Sequence, residues 1–210
     1  TVTPQKPYVV GGDGDAFRAL CRQLGVVLCE TSGDFLWTLK ALAGALPGDA
    51  PRVAFASISG GACALWADRC DRLGLALPEL DDQQAAVLTA SLPAFLSPAN
   101  PLDLGPAVFD DAAFDAALQA LANAPSFNLL VVYLFTSSPS LMGGLRKVAL
   151  LEALARRNRT PLWVVWEAAT DAEWQALARN PVLTAFQDLG QAAQAVAALQ
   201  AALPGAGYHP

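Results

Sequence analysis

The spacing of apolar residues changes several times along this chain, and each change marks a new element. From residue 51 onward, short solid apolar runs alternate with longer stretches in which apolar residues recur every third or fourth position. The solid runs are "VAFAS" (53–57), "NLLVVYLF" (128–135), "PLWVVW" (161–166) and "VLTAF" (182–186). Runs of this kind read as strands covered on both faces. The periodic stretches read as helices with one inward stripe. Ala62, Trp66, Cys70 and Leu73 form such a stripe over 61–73. Phe114, Leu118 and Leu121 form another in a helix starting at Asp110 or Asp111, and a further helix carries Leu145, Val148, Leu151 and Leu154. Asp81 with Gln84, and Thr170 with Glu173, have capping-box spacing; the first opens a helix running to about Leu92. An alanine-rich helix over 190–203 closes the pattern. "LGLALPEL" (73–80) predicts a short strand, and "NPLDLG" (100–105) a short strand or strand end.

Upstream, residues 1–12 read as an extended lead-in. Asp15 is placed to cap a helix whose Phe17, Leu20, Cys21 and Leu24 fall on one face, with Gly25 suited to its end. "VVLCE" (26–30) predicts a short strand. A second helix follows Thr31 and Ser32, with Phe35, Leu39, Leu42 and Leu46 on one face. The breaker-rich "PGDAP" (47–51) predicts a boundary. The expected organisation is a smaller α/β lead-in over 1–50 and a main α/β domain over 51–210. Thr1 and the closing "LPGAGYHP" read as the ends of an excised piece.

Strands alternating with helices imply right-handed βαβ crossovers and a mainly parallel sheet between two helical layers. Ligands of such sheets bind beyond the carboxyl ends of the strands. The turns after Phe55, Leu134 and Val165 are therefore the places for chemistry. The first is "SISGG". Ser57, Ser59, Gly60, Gly61 and Ala62 lead from a strand into a helix, and glycines there leave backbone N–H groups free to meet an anion. The same residues also suit a tight turn in which only small side chains fit. The spacing is neither a Walker A loop nor a dinucleotide fingerprint. In "NPLDLG", Asn100 and Asp103 can bond backbone N–H groups of the adjacent turn or reach a ligand, and Pro101 pre-sets the turn. After the most apolar strand, Thr136, Ser137 and Ser138 offer hydroxyls beside a further helix start.

Composition narrows the choices. The formal net charge of −6 shows no basic face for nucleic acid. Arg156, Arg157 and Arg159 cluster late in a helix, where they suit its dipole. No apolar run is long enough to span a bilayer, and no signal peptide opens the chain. Cys21, Cys29, Cys63 and Cys70 match neither a metal motif nor a disulfide scaffold, which points to a reducing, cytoplasmic setting. The single histidine, His209, sits in the Gly/Pro-rich tail, so a Ser-His-Asp hydrolase or a His-based zinc site on this chain is excluded. The aspartates form no acid/base pair by spacing. The tryptophans sit at core periodicities.

"RVAFASISGGACALWADRCDRLGLALPEL", then "LPAFLSPANPLDLG", then "FDAALQALANAPSFNLLVVYL" resemble the NDP-forming acyl-CoA synthetases, acid–CoA ligases related to succinyl-CoA synthetase. Ser59, Gly60, Gly61, Asp68, Gly74, Leu75, Leu77, Pro78, Leu80, Pro93, Asn100, Pro101, Asp103 and Leu104 match the motifs of that family. "GGDGDAFRALCRQLGVVLCE" resembles the segment leading into the domain. The resemblance implies a flavodoxin-like domain that takes part in making acyl-CoA from a carboxylic acid, CoA and a nucleoside triphosphate. Its helix starts help to hold a phosphohistidine loop. CoA, and ATP or GTP with Mg, belong to the full enzyme rather than to this chain alone. The implied partners are the CoA-binding and ATP-grasp domains or subunits, together with the acid substrate, with no nucleic acid and no membrane. One departure matters: Lys6 falls where the family carries its phosphorylated histidine. Some relatives are degenerate modules fused to a protein acetyltransferase, and a regulatory or assembly role is the alternative that this departure implies.

Overall fold

The computed structural model describes residues 14–44, 49–92, 94, 96–135 and 143–202. Among them, five parallel strands form one sheet in the order β2-β1-β3-β4-β5. The strands are β1 (Val53–Ser57), β2 (Leu102–Asp103), β3 (Leu129–Leu134), β4 (Leu162–Trp166) and β5 (Leu183–Phe186). The helices are α1 (Gly14–Gln23), α2 (Ser32–Ala43), α3 (Gly60–Leu73), α4 (Asp82–Ser91), α5 (Asp111–Asn123), α6 (Leu145–Arg157), α7 (Asp171–Ala178) and α8 (Leu189–Ala202), with a 3-10 turn over Gly105–Phe109. The order 2-1-3-4-5 is that of the flavodoxin-like fold, as the sequence implies.

Successive strand residues point to opposite faces, and both faces are buried. Ala54, Ala56, Leu130, Val132, Leu134, Val164 and Trp166 pack with Leu88, Phe114, Leu118, Val148, Leu151 and Leu177, so α4 to α7 cover that side. Val53, Phe55, Leu129, Val131, Tyr133, Trp163 and Val165 pack with Ala62, Trp66, Cys70, Val196 and Leu199, so α3 and α8 cover the other. This two-sided burial is why the strands read as solid apolar runs. Phe55 stacks on Trp66 with ring centroids 4.7 Å apart. Trp66, Trp163 and Trp166 are fully buried, as their periodicity predicts.

Helix α2 joins the second of these cores. Its Ala41 is fully buried there and Trp37 and Leu42 pack against it. Its last turn shields the β5 edge, where a Cβ on Gly44 would come within 2.5 Å of Thr184 Oγ1. Such cover is one way proteins blunt an open strand edge.

Several expectations fail here. Residues 26–29 form no strand among the described residues, so the smaller α/β lead-in lacks its β component there. Residues 75–80 likewise form no strand; Pro78 instead gives its carbonyl to the Asn100 side chain. The apolar faces expected on the first two helices are largely exposed, and Leu46 of the second lies outside the described residues. Phe17, Leu20 and Leu24 are exposed while Cys21 is buried, and α2 buries Thr38 and Ala41 rather than Phe35 and Leu39. Leu145, at the start of α6, is also exposed. The periodicity marks a helix face correctly, but burial requires a surface opposite it.

Candidate functional site

In this sheet the chain leaves β1 toward β2 on one side and leaves β3 toward β4 on the other. The switch point therefore lies between β1 and β3, and the crevice opens beyond their carboxyl ends, at Ser57 and Leu134. Thr136, Ser137 and Ser138, expected in the second turn, lie outside the described residues, as do Lys6 and His209.

The first turn is well defined. Ser57 is fully buried, and its Oγ accepts from Ser59 N–H at 3.1 Å. Ser59 is the N-cap of α3 in extended conformation, but its side chain makes no capping bond. The first intrahelical bond runs from Cys63 N–H to the Ser59 carbonyl. Gly60 and Gly61 are exposed and Ala62 is buried. Among the described residues, no oxygen accepts from the N–H groups of Gly60, Gly61 or Ala62. The first amides of any helix lack intrahelical partners. At five other helices this protein supplies them. Thr31 caps α2, Asp81 caps α4, Asp110 caps α5 and Thr170 caps α7. At α8, Asp188 Oδ1 accepts from Gly190 and Gln191 N–H, and Glu167 Oε1 accepts from Leu189 N–H. The amides of α3 are left open where the fold puts its ligand crevice.

The two motif residues of the neighbouring turn do different things. Asn100 braces the sheet. Its Oδ1 accepts from Phe55 N–H at 2.9 Å, and its Nδ2 donates to the carbonyls of Val53 and Pro78, both at 2.8 Å. Its side chain thus extends the β1 edge where β2, only two residues long, does not reach. Asp103 pairs in register with Ser57 at the carboxyl end of β1. Its Oδ1 accepts from Gly105 N–H at 2.9 Å. Its Oδ2 faces the start of α3, so that a Cβ on Gly60 would stand 2.9 Å from it.

Asp103 changes the electrostatics of that turn. Helix N-termini carry partial positive charge, and the carboxylate sits beside this one. Burial first, and then the Asp103 charge, push the Cys63 thiol up to about 12. Cys63 is therefore a neutral thiol rather than a nucleophile. Tyr133, at the end of β3, is shifted upward by burial, by the charge of Glu167 and its hydrogen bond, and by Asp188. It stays a neutral phenol. Sequence reasoning missed Glu167 and Asp188, whose roles are set by α8 packing beside β4.

Two basic residues also escaped the sequence reading. Arg146 and Lys147 lie in the first turn of α6, whose N-cap Gly144 provides no side chain. Asp111 holds both, with Oδ1 2.8 Å from Lys147 Nζ and Oδ2 2.9 Å from Arg146 Nη1. Among the described residues, no group of three or more His, Cys, Asp or Glu side chains is placed to hold a metal ion. No helix among them is long and apolar enough to cross a membrane. A groove of about 500 Å³ between α4 and α5 lies away from the switch point, and its carboxylates are engaged: Asp81 caps α4 and Asp115 pairs with Arg157.

Comparison with known proteins rests on structure alone, because the sequence matches no protein-family profile and no curated protein. The apo form of the dinucleotide-forming acetyl-coenzyme A synthetase 1 of Ca. Korarchaeum cryptofilum superposes with a TM-score of 0.78 at 19% identity, over 93% of this chain and 43% of that one. The same protein in complex with phosphate and ADP gives 0.77 at 19% identity, over 92% and 42%. PH0766 of Pyrococcus horikoshii gives 0.75 at 22% identity, over 91% and 44%. This chain thus spans less than half the length of the solved structures it matches. In fold, nearly the whole chain is a counterpart of one portion of an acetyl-coenzyme A synthetase and of PH0766.

Proposed function

We propose that this chain is a domain of an NDP-forming acid–CoA ligase, and that the open start of α3 receives a phosphoryl group, carried on a phosphohistidine, during acyl-CoA formation. The observation that carries this reading is the set of unaccepted N–H groups at Gly60, Gly61 and Ala62, at the carboxyl edge of a doubly wound sheet. Preorganised amide donors stabilise phosphoryl charge at no cost of reorganisation. The fold likeness to an acetyl-coenzyme A synthetase, one of whose structures holds phosphate and ADP, supports the same reading. So does the resemblance of the "SISGG" and "NPLDLG" segments to that class of ligase. Asn100 and Asp103 act as the supporting loop, and Thr136, Ser137 and Ser138, which lie outside the described residues, are further hydroxyl donors that the sequence offers to the same group. The CoA-binding and ATP-grasp parts, with the acid substrate, CoA and ATP or GTP with Mg, complete the enzyme in the cytoplasm. The four cysteines, all free, accord with a reducing compartment. The division at about residue 50 separates the end of a preceding ligase-like domain from the flavodoxin-like one.

The test is Gly61→Leu in the full-length protein. A Cβ there meets only Ser59 Oγ, at an ordinary 3.5 Å, so the fold tolerates a side chain while the space before the amides fills. Loss of acyl-CoA formation with an unchanged circular dichroism spectrum and melting temperature is the expected result. Retained turnover overturns the reading.

One observation favours a second reading, a regulatory or assembly domain of a degenerate synthetase, for example one fused to a protein acetyltransferase. Asp103 Oδ2 beside Gly60 opposes a second anion at the same spot, and in sequence Lys6 replaces the histidine that would carry the phosphoryl group. Under this reading the full-length protein forms no acyl-CoA from acid, CoA and nucleoside triphosphate, and a Lys6→His substitution does not restore the activity.

A further inference from the structure

We draw no further inference here: the strongest candidate, the exposed apolar side chains of Phe17, Leu20 and Leu24 on α1 and of Phe35, Leu36 and Leu39 on α2, carries nothing because nothing in the structure shows what covers them.

Discussion

Gly60 and Asp103 are in such close approach that no side chain fits between them: a Cβ on Gly60 would stand 2.9 Å from Asp103 Oδ2. The carboxylate cannot simply swing aside, because its other oxygen holds Gly105 N–H. Two motifs separated by 43 residues of sequence are thereby locked at one end of the sheet. Gly60→Ala should therefore destabilise the domain by about 1–3 kcal/mol through overpacking, although alanine is the better helix former. In an Asp103→Ala background the same change should be neutral or slightly stabilising. A double-mutant cycle from urea melts reads the difference as a coupling of about 1 kcal/mol or more. Additive effects of the two substitutions would place the carboxylate elsewhere.

The same carboxylate sets the chemistry of Cys63. Its thiol stands at about 12 because burial, and secondarily the Asp103 charge, disfavour the thiolate. In the unfolded chain a thiol titrates at about 8.5. The folded protein thus keeps a proton that the unfolded chain loses as pH rises from that value toward 12. This contribution to stability is complete below the ordinary thiol pKa and is lost across that window. Asp103→Asn removes the smaller cause and leaves burial in place. The Cys63 titration should then move down without reaching the ordinary thiol range. Iodoacetamide labelling rates against pH, with Cys63 separated from the other cysteines by peptide mass spectrometry, measure the shift. An unchanged profile would mean that the carboxylate does not act on this turn.

Asn100 offers a test of a purely structural role inside a motif. It satisfies one amide and two carbonyls on segments 22 to 47 residues away in sequence. A net hydrogen bond contributes about 1 kcal/mol, and each buried partner left unsatisfied costs about 1–3 kcal/mol. Asn100→Ala should cost about 2–4 kcal/mol in denaturant melts. Asn100→Asp should be at least as harmful, since it keeps the acceptor for Phe55 N–H but turns a carboxylate oxygen toward the carbonyls of Val53 and Pro78. A loss below about 0.5 kcal/mol would leave the brace without energetic weight.

What was legible in the sequence follows the range of the interactions. The capping boxes of Asp81 with Gln84 and of Thr170 with Glu173 form as predicted because both partners lie within one helical turn. The strands β1, β3, β4 and β5 were legible because burial on both faces leaves them almost wholly apolar, Ser57 and Thr184 apart. The open amides of α3 were also legible, since Ser59-Gly60-Gly61 has few side-chain atoms with which to close them. Residues 26–29 show the limit: a β-rich run specifies an extended chain, but a strand needs a neighbour that composition does not supply. Asn100 shows another. Its motif suggested a bond to backbone N–H in the adjacent turn, whereas its acceptor oxygen serves Phe55 in the middle of β1. Asp103 was legible as a candidate, but its orientation toward Gly60 arises only when β2 pairs with β1. The Asp111–Lys147 pair joins two helices across the β3 crossover, and no local rule connects them.

That last pair separates the value of an ion pair from the cost of breaking it. Lys147 is 1% exposed, with Nζ 2.8 Å from Asp111 Oδ1 and 4.1 Å from the centre of the Phe114 ring. An ammonium so placed has lost its water, and its attraction to Asp111 and to the ring offsets that loss. Removing the carboxylate should leave an uncompensated buried charge, so Asp111→Ala should cost about 3–5 kcal/mol. Removing the ammonium leaves no such charge. Asp111 is a quarter exposed and still has Arg146, and a methionine of similar length fills the same channel beside Phe114. Lys147→Met should therefore lie within about 1 kcal/mol of the unmutated protein, on either side. Arg146→Ala, at an exposed guanidinium, should cost less than about 1 kcal/mol. Urea melts of the three variants decide the matter. If Lys147→Met proves as damaging as Asp111→Ala, the buried ammonium contributes net stability, and the attraction to Asp111 and Phe114 exceeds the desolvation it was taken only to offset.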